Sequence, residues 1–134
     1  MEKVVVDSSI AVKWFVNEPK SKEALNILSK HREKRVIIVV PDIIHLEIIN
    51  GLFFSYKLSA TQLRQIIISL KSLELQFTSI NEIKLSNAAL LMEKFNIASY
   101  DGLFVSLAQE LNCPLITNDK KHHSKKMYKK IQYL

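Results

Sequence analysis

Four carboxylates carry the chemistry that this sequence offers. Asp7 directly follows the β-branched run Val4-Val5-Val6, Glu47 lies among Ile43, Ile44 and Ile48, Asp101 precedes Phe104 and Val105 by one helical turn, and Asp119 stands two residues past Thr117. Helical spacing puts Glu47 on the inward stripe shared by Ile43, Ile44 and Gly51. An unpaired charge buried there costs several kcal/mol, about the margin by which a whole domain is stable, so the position demands a cation, a partner or a proton. Hard divalent cations such as Mg²⁺ prefer oxygen ligands in octahedral geometry, and such a set of acids can hold one ion tightly or two a few ångströms apart. A cation held in this way lowers the pKa of a bound water, orients it in line with a scissile phosphorus and offsets charge on the leaving oxygen. The residue types therefore point to metal-assisted cleavage of a phosphodiester. Ser8, Ser9, Thr117 and Asn118 flank two of the acids and are candidates to support them.

Each of these residues also has an ordinary structural role. Asp7 is a candidate N-cap, Asp101 sits where a helix dipole favours a carboxylate, and Asp119 within Thr-Asn-Asp-Lys is a common turn residue. Ser8, Ser9, Thr117 and Asn118 cap helices and form turns equally well. His45 is two residues from Glu47 and points to another face, so it does not neutralise it. The ordinary roles require separate coincidences for every acid, whereas one metal centre accounts for them together.

The elements that must position these acids alternate along the chain. Val4 to Val6 reads as a short buried strand, followed by capping residues and a helix that carries Ile10, Trp14 and Phe15 inward. Pro19 opens a second helix, Val36 to Val40 is a second buried strand, and Pro41-Asp42 begins a helix that runs to about Tyr56. Ser59 caps a helix to Leu70, Leu73 to Phe77 alternates as a third strand, and helices follow from Asn81 to Phe95 and from Ser99 to Leu111. Pro114 to Thr117 gives a fourth strand and Ile131 to Tyr133 a weak fifth. This order predicts an α/β fold, a central mostly parallel sheet of four to five strands flanked by helices with right-handed crossovers. In such sheets the working site lies beyond the carboxyl ends of the strands, where Asp7 and Asp119 fall.

Composition sets the bounds. The chain has 134 residues, 48% of them apolar, two glycines and three prolines, with no repeat, linker or low-complexity stretch, so residues 1–134 read as one domain. Its apolar bursts are far shorter than the ~20 residues of a spanning helix, and Met1-Glu2-Lys3 leads into the first strand without a secretory leader; no membrane association and a cytoplasmic location are expected. Cys113 stands alone, which excludes an internal disulfide and a cysteine zinc site and suggests a buried, inert thiol. A formal charge of +6 favours a polyanionic partner. Lys120, Lys121, Lys125, Lys126, Lys129 and Lys130 follow Asp119 and suit either a solvated surface or the track of an RNA backbone. His122 and His123, an adjacent pair in this basic stretch, read as exposed and inert. Trp14, Phe15, Phe53, Phe54 and Phe104 read mostly as core, with some aromatics around Phe53 to Leu70 available to a partner.

Taken in order, four segments resemble PIN-domain proteins, particularly VapC-like toxins of type II toxin–antitoxin pairs. They are Val4 to Trp14 (VVVDSSIAVKW), Pro41 to Asn50 (PDIIHLEIIN), Tyr100 to Ala108 (YDGLFVSLA) and Pro114 to Asp119 (PLITND). The resemblance spans nearly the whole chain and places that family's acidic quartet on Asp7, Glu47, Asp101 and Asp119, and its hydroxyl on Thr117, with Ser9 and Asn118 beside them. It implies a Mg²⁺- or Mn²⁺-dependent endoribonuclease, commonly a homodimer, silenced by a small VapB-like antitoxin. Alternatives are a stand-alone PIN nuclease of RNA processing or a catalytically silent RNA-binding or interaction module. An aspartyl-phosphate phosphatase fits less well, because Ser9 stands where its second aspartate belongs. A receiver domain fits poorly too, because the paired acids it needs near the first strand are missing.

Overall fold

A computed structural model describes residues 1–134. Five strands form one wholly parallel sheet in the order β3-β2-β1-β4-β5, where β1 is Glu2–Val6, β2 Val36–Pro41, β3 Gln76–Thr78, β4 Leu115–Thr117 and β5 Ile131–Tyr133. Consecutive residues Val4, Val5 and Val6 are all buried, as are Ile38, Val39 and Val40, so both faces of the central strands are covered. The chain winds one way through β1, β2 and β3, then crosses back to lay β4 on the free edge of β1. Strand order thus reverses between β1 and β4, the position where open α/β sheets leave a crevice at their carboxyl ends.

Seven helical segments surround the sheet in sequence: α1 Ser8–Ala11, a 3-10 turn Val12–Trp14, α2 Ser21–Arg32, α3 Ile44–Tyr56, α4 Ala60–Ser72, α5 Glu82–Phe95 and α6 Ser99–Leu111. Helix α4 starts at the expected Ser59, whose hydroxyl accepts the Gln62 N–H at 3.2 Å while the Gln62 side chain accepts the Ser59 N–H at 2.9 Å. Helix α6 is buried from Gly102 to Ala108 without interruption and packs on β1, β2, β4 and α5. None of the helices is long and apolar enough to cross a membrane.

Several expected boundaries move. Pro19 does not open α2: Lys20 turns into the left-handed region at φ 70° and the Ser21 hydroxyl accepts the Glu18 N–H at 2.9 Å, so the helix starts at Ser21. Helix α3 begins at Ile44 rather than at Pro41-Asp42, because Pro41 still pairs in β2 with Thr78 of β3. The third strand is Gln76–Thr78 rather than Leu73 to Phe77, since Leu73 closes α4 and Glu74 adopts φ 56° to leave it. Phe53 and Phe54 are not core residues: the buried stripe of α3 is Ile44, Ile48 and Leu52, which leaves these two rings 49% and 73% exposed. Cys113 is buried as expected, and its burial pushes the thiol pKa up, as suits an inert core residue.

Gly102 lies where α6 meets α5. A Cβ added there would stand 3.1 Å from the Cβ and carbonyl oxygen of Ala88 and 3.2 Å from its Cα, atoms that cannot yield without moving a helix. Gly102→Val is expected to destabilise the fold by roughly 2 kcal/mol through overpacking, read as a lower urea midpoint at unchanged slope; an unchanged midpoint contradicts this packing.

Candidate active site

The site assembles where β1 and β4 end side by side. Val6 pairs with Ile116, so Asp7 and Thr117 emerge together at the carboxyl edge. Asp7 occupies the N-cap position of α1, but its side chain makes no capping bond; its backbone carbonyl accepts the N–H groups of Ile10 and Ala11 instead. The Asp7 carboxylate is 4% exposed and turned to other partners. Its Oδ1 accepts from the Ser9 hydroxyl, and its Oδ2 accepts from the Thr117 hydroxyl and from His123 Nδ1 at 2.8 Å. Ser9 in turn accepts the Asn118 backbone N–H at 2.9 Å, and Thr117 accepts that of Asp119 at 2.9 Å. Ser9 and Thr117 therefore hold Asp7 directly, while Asn118 contributes through its backbone.

The acids act on one another in two overlapping groups: Asp101 and Asp7 on Glu47, and Asp119 and Asp7 on Asp101. Asp101 lies in the first turn of α6, whose N-cap is Ala98 without a side-chain bond, so the acid is not a cap. Burial raises its pKa, opposed mainly by the neighbouring His123. Glu47 reaches the same place from α3, and its buried Oε1 has no hydrogen-bond partner. Burial first, then the negative charges of Asp101 and Asp7, lift its pKa from 4.5 to about 7. Asp119 faces differently. Its carboxylate accepts the N–H groups of Lys121 and His122 at 3.2 and 3.1 Å and pairs with His122 Nδ1 at 2.7 Å, so it also performs the turn role open to it from sequence. These contacts with His122 outweigh desolvation and hold its pKa below the ordinary carboxylate range.

His123 is the functional-site residue that sequence reasoning missed. It is not exposed but 2% accessible, the most buried polar group near the acids apart from Thr117. Its Nδ1 faces Asp7, its Nε2 lies 3.2 Å from the Asp101 carbonyl oxygen and 3.8 Å from Asp101 Oδ1, and its ring meets Phe104 edge-on. Both nitrogens face acceptors, an arrangement satisfied only by the imidazolium. Desolvation pulls the pKa down, yet the bond to Asp7 and the charges of Asp7 and Asp101 leave it raised. No periodicity marks this position, because it belongs to the irregular segment between β4 and β5; closeness to Asp119 in sequence was the one available sign. His122, too, is not inert: it is the partner of Asp119.

The donor set suits a hard divalent cation, since the charges of Asp101 and Asp7 act on Glu47 from separate elements and one Glu47 oxygen is buried with nothing to bind. No three of the acidic or histidine side chains aim at one common point in this arrangement, in which an internal imidazolium stands between Asp7 and Asp101. Beside Glu47 opens a cleft of about 590 Å³, lined by Ser9, Lys13, Glu18, Tyr56 and Asn118 among others. The basic segment is partly engaged within the molecule: Lys120 and Lys125 lie over the Tyr133 ring and Lys130 donates to the Asn112 carbonyl at 3.0 Å.

Comparison with known proteins gives the same fold. The family model of the PIN domain matches residues 4–127. Among solved structures, the chain is similar to a toxin–antitoxin complex from Klebsiella pneumoniae (TM-score 0.71, 16% identity, covering 96% of this chain and 95% of that one). It is also similar to the sarcin–ricin-loop-cleaving toxin VapC20 of Mycobacterium tuberculosis (0.70, 9%, covering 89% and 92%). A third likeness is to VapBC-1 from nontypeable Haemophilus influenzae (0.64, 21%, covering 98% and 96%). At these identities the structural likeness shows a shared fold. No curated protein sequence matches.

The crowding has a pH signature. Glu47 holds its proton more tightly when folded, so the native state is favoured at low pH and loses this advantage as pH rises from 4.5 through about 7. Asp101 acts in the same sense, and His123, raised above 6.5, contributes stability below that value that is lost at higher pH. The metal-free protein is expected to melt at lower temperature at pH 8 than at pH 5.5, and Glu47→Gln to recover roughly 1–2 kcal/mol at pH 8 after solvent screening. Thermal melts across this range test it; a wild type equally stable at both pH values, or a less stable variant at pH 8, contradicts the crowding.

Proposed function

This chain belongs to the PIN-domain family, and from that premise we propose that it is a divalent-metal-dependent endoribonuclease, the toxin of a VapBC-type toxin–antitoxin pair. The observation that carries the reading is the orphaned, buried Glu47 oxygen beside Asp7 and Asp101 at the strand-order reversal. Asp7, Glu47, Asp101 and Asp119 would hold Mg²⁺ or Mn²⁺. The chemistry such an ion supplies when bound is a water of lowered pKa and compensation of charge on the leaving oxygen. The protein's own residues do the rest. Ser9, Thr117 and His123 hold the Asp7 carboxylate in one orientation, and the hydroxyl and amide groups that line the cleft around Glu47 would offer hydrogen-bond partners to a bound strand.

A toxin needs its inhibitor, and the similar structures from Klebsiella pneumoniae and Haemophilus influenzae are a toxin–antitoxin complex and VapBC-1. The apolar side chains left exposed on α3 and α4, Leu46, Phe54, Ile67 and Ile68, between 49% and 73% accessible, supply a surface for a VapB-like antitoxin or a second copy in a homodimer.

Purified protein incubated with a pool of structured RNAs is expected to cleave with Mg²⁺ or Mn²⁺ and not with EDTA. Asp7→Asn and Asp101→Asn are expected each to lower cleavage by more than about 100-fold, the upper range for losing even a residue that only supports a ligand. Retained cleavage in both variants would sink the site, and RNA binding without cleavage in excess Mn²⁺ would favour a silent binding module.

A further inference from the structure

Lys13 is the one lysine that the fold buries. Its side chain is 5% exposed, on the 3-10 turn between α1 and α2, and its ammonium lies 3.0 Å from Glu18 Oε1. The other Glu18 oxygen accepts from the Tyr56 hydroxyl at the end of α3. All three residues line the cleft that begins at Glu47, and Lys13 is the only cationic residue there. One wall of that cleft is the α3 stripe Glu47, Gly51 and Ser55, whose two four-residue steps span about 12 Å. The cleft therefore leads from Glu47 to an ammonium that has three donors and one acceptor, Glu18.

A purely structural ion pair explains this poorly. Burying a lysine costs desolvation that an apolar side chain of similar volume avoids, and the pair stabilises little in return. Glu18 is also set up to lose its partner without becoming an orphan, being 21% exposed and bonded to Tyr56. Resting on the ribonuclease reading above, we infer that Lys13 binds a phosphate of the RNA strand beyond the one cleaved at Glu47, with Glu18 as the counter-ion that it leaves when RNA enters. The two residues then act in opposite senses: the lysine attracts the backbone, and the glutamate competes for the lysine and repels the strand.

That opposition is the test. Binding of a labelled single-stranded oligoribonucleotide of mixed sequence is measured over a range of salt, with Ca²⁺ as the only divalent ion. Lys13→Gln is expected to weaken binding several-fold and to reduce the log–log salt slope by about 0.7, the value of one phosphate contact on a single strand. Glu18→Gln is expected to tighten it. The double variant Lys13→Gln/Glu18→Gln, which buries no unpaired charge and so covers the case in which Lys13→Gln misfolds, is expected to bind more weakly than Glu18→Gln alone. Both single variants weakening binding alike, or a salt slope unchanged on loss of Lys13, overturns the inference while leaving the nuclease reading intact. A wild type that neither binds nor cuts RNA overturns both.

Discussion

Carboxylates from three separate elements are held within one poorly solvated space, and much of the local structure answers that repulsion. Asp7 comes from the end of β1, Glu47 from α3 and Asp101 from α6; each alone is a tolerable residue, but Asp101 and Asp7 add to the cost of ionising Glu47, and Asp119 and Asp7 to that of Asp101. The molecule meets this in two ways. Asp7 is surrounded by three donors, so its charge is stabilised where it stands. Glu47 is given none, so in the absence of a cation its cheapest state near neutral pH is partly protonated. Buried acids with raised pKa values of this kind are found more often at functional sites than elsewhere.

The irregular segment between β4 and β5 supplies the counterweight. It has no helix to guide it, and is fixed by contacts at its ends: β5 pairs with β4, the Tyr128 hydroxyl donates to the carbonyls of Ala108 and Cys113, and the Tyr133 hydroxyl donates to the His123 carbonyl at 2.9 Å. These anchors deliver His123 between Asp7 and Asp101 and set His122 on Asp119. The segment thus links the edge of the sheet to the centre of the site. On the opposite side, the short 3-10 turn and the loop before α2 deliver Lys13 and Glu18 to the cleft, so the two least regular parts of the chain flank the acids with charge.

The architecture was largely legible in the residues. Buried runs such as Val4 to Val6, the Ser59 cap and the alternation of strand and helix suffice to predict a parallel sheet with its site at the carboxyl edge, because those features are local and their periods differ. The errors fall where a local pattern met a tertiary competitor. Pro41 remains in a strand because β3 pairs with it, Pro19 is overridden by the Ser21 hydroxyl, and Phe53 and Phe54 face solvent because only one stripe of α3 meets the sheet.

The sequence by itself determined the fold class, the positions of Asp7, Asp101 and Asp119 at element ends and of Glu47 on an inward helix stripe, and a composition suited to a polyanionic partner, since residue type and spacing are properties of the chain alone. Tertiary structure decided which of those acids share a space, that His123 becomes the internal cation and that Lys13 is buried. Those outcomes depend on distances between residues as many as 116 positions apart, as Asp7 and His123 are, and no local period encodes them.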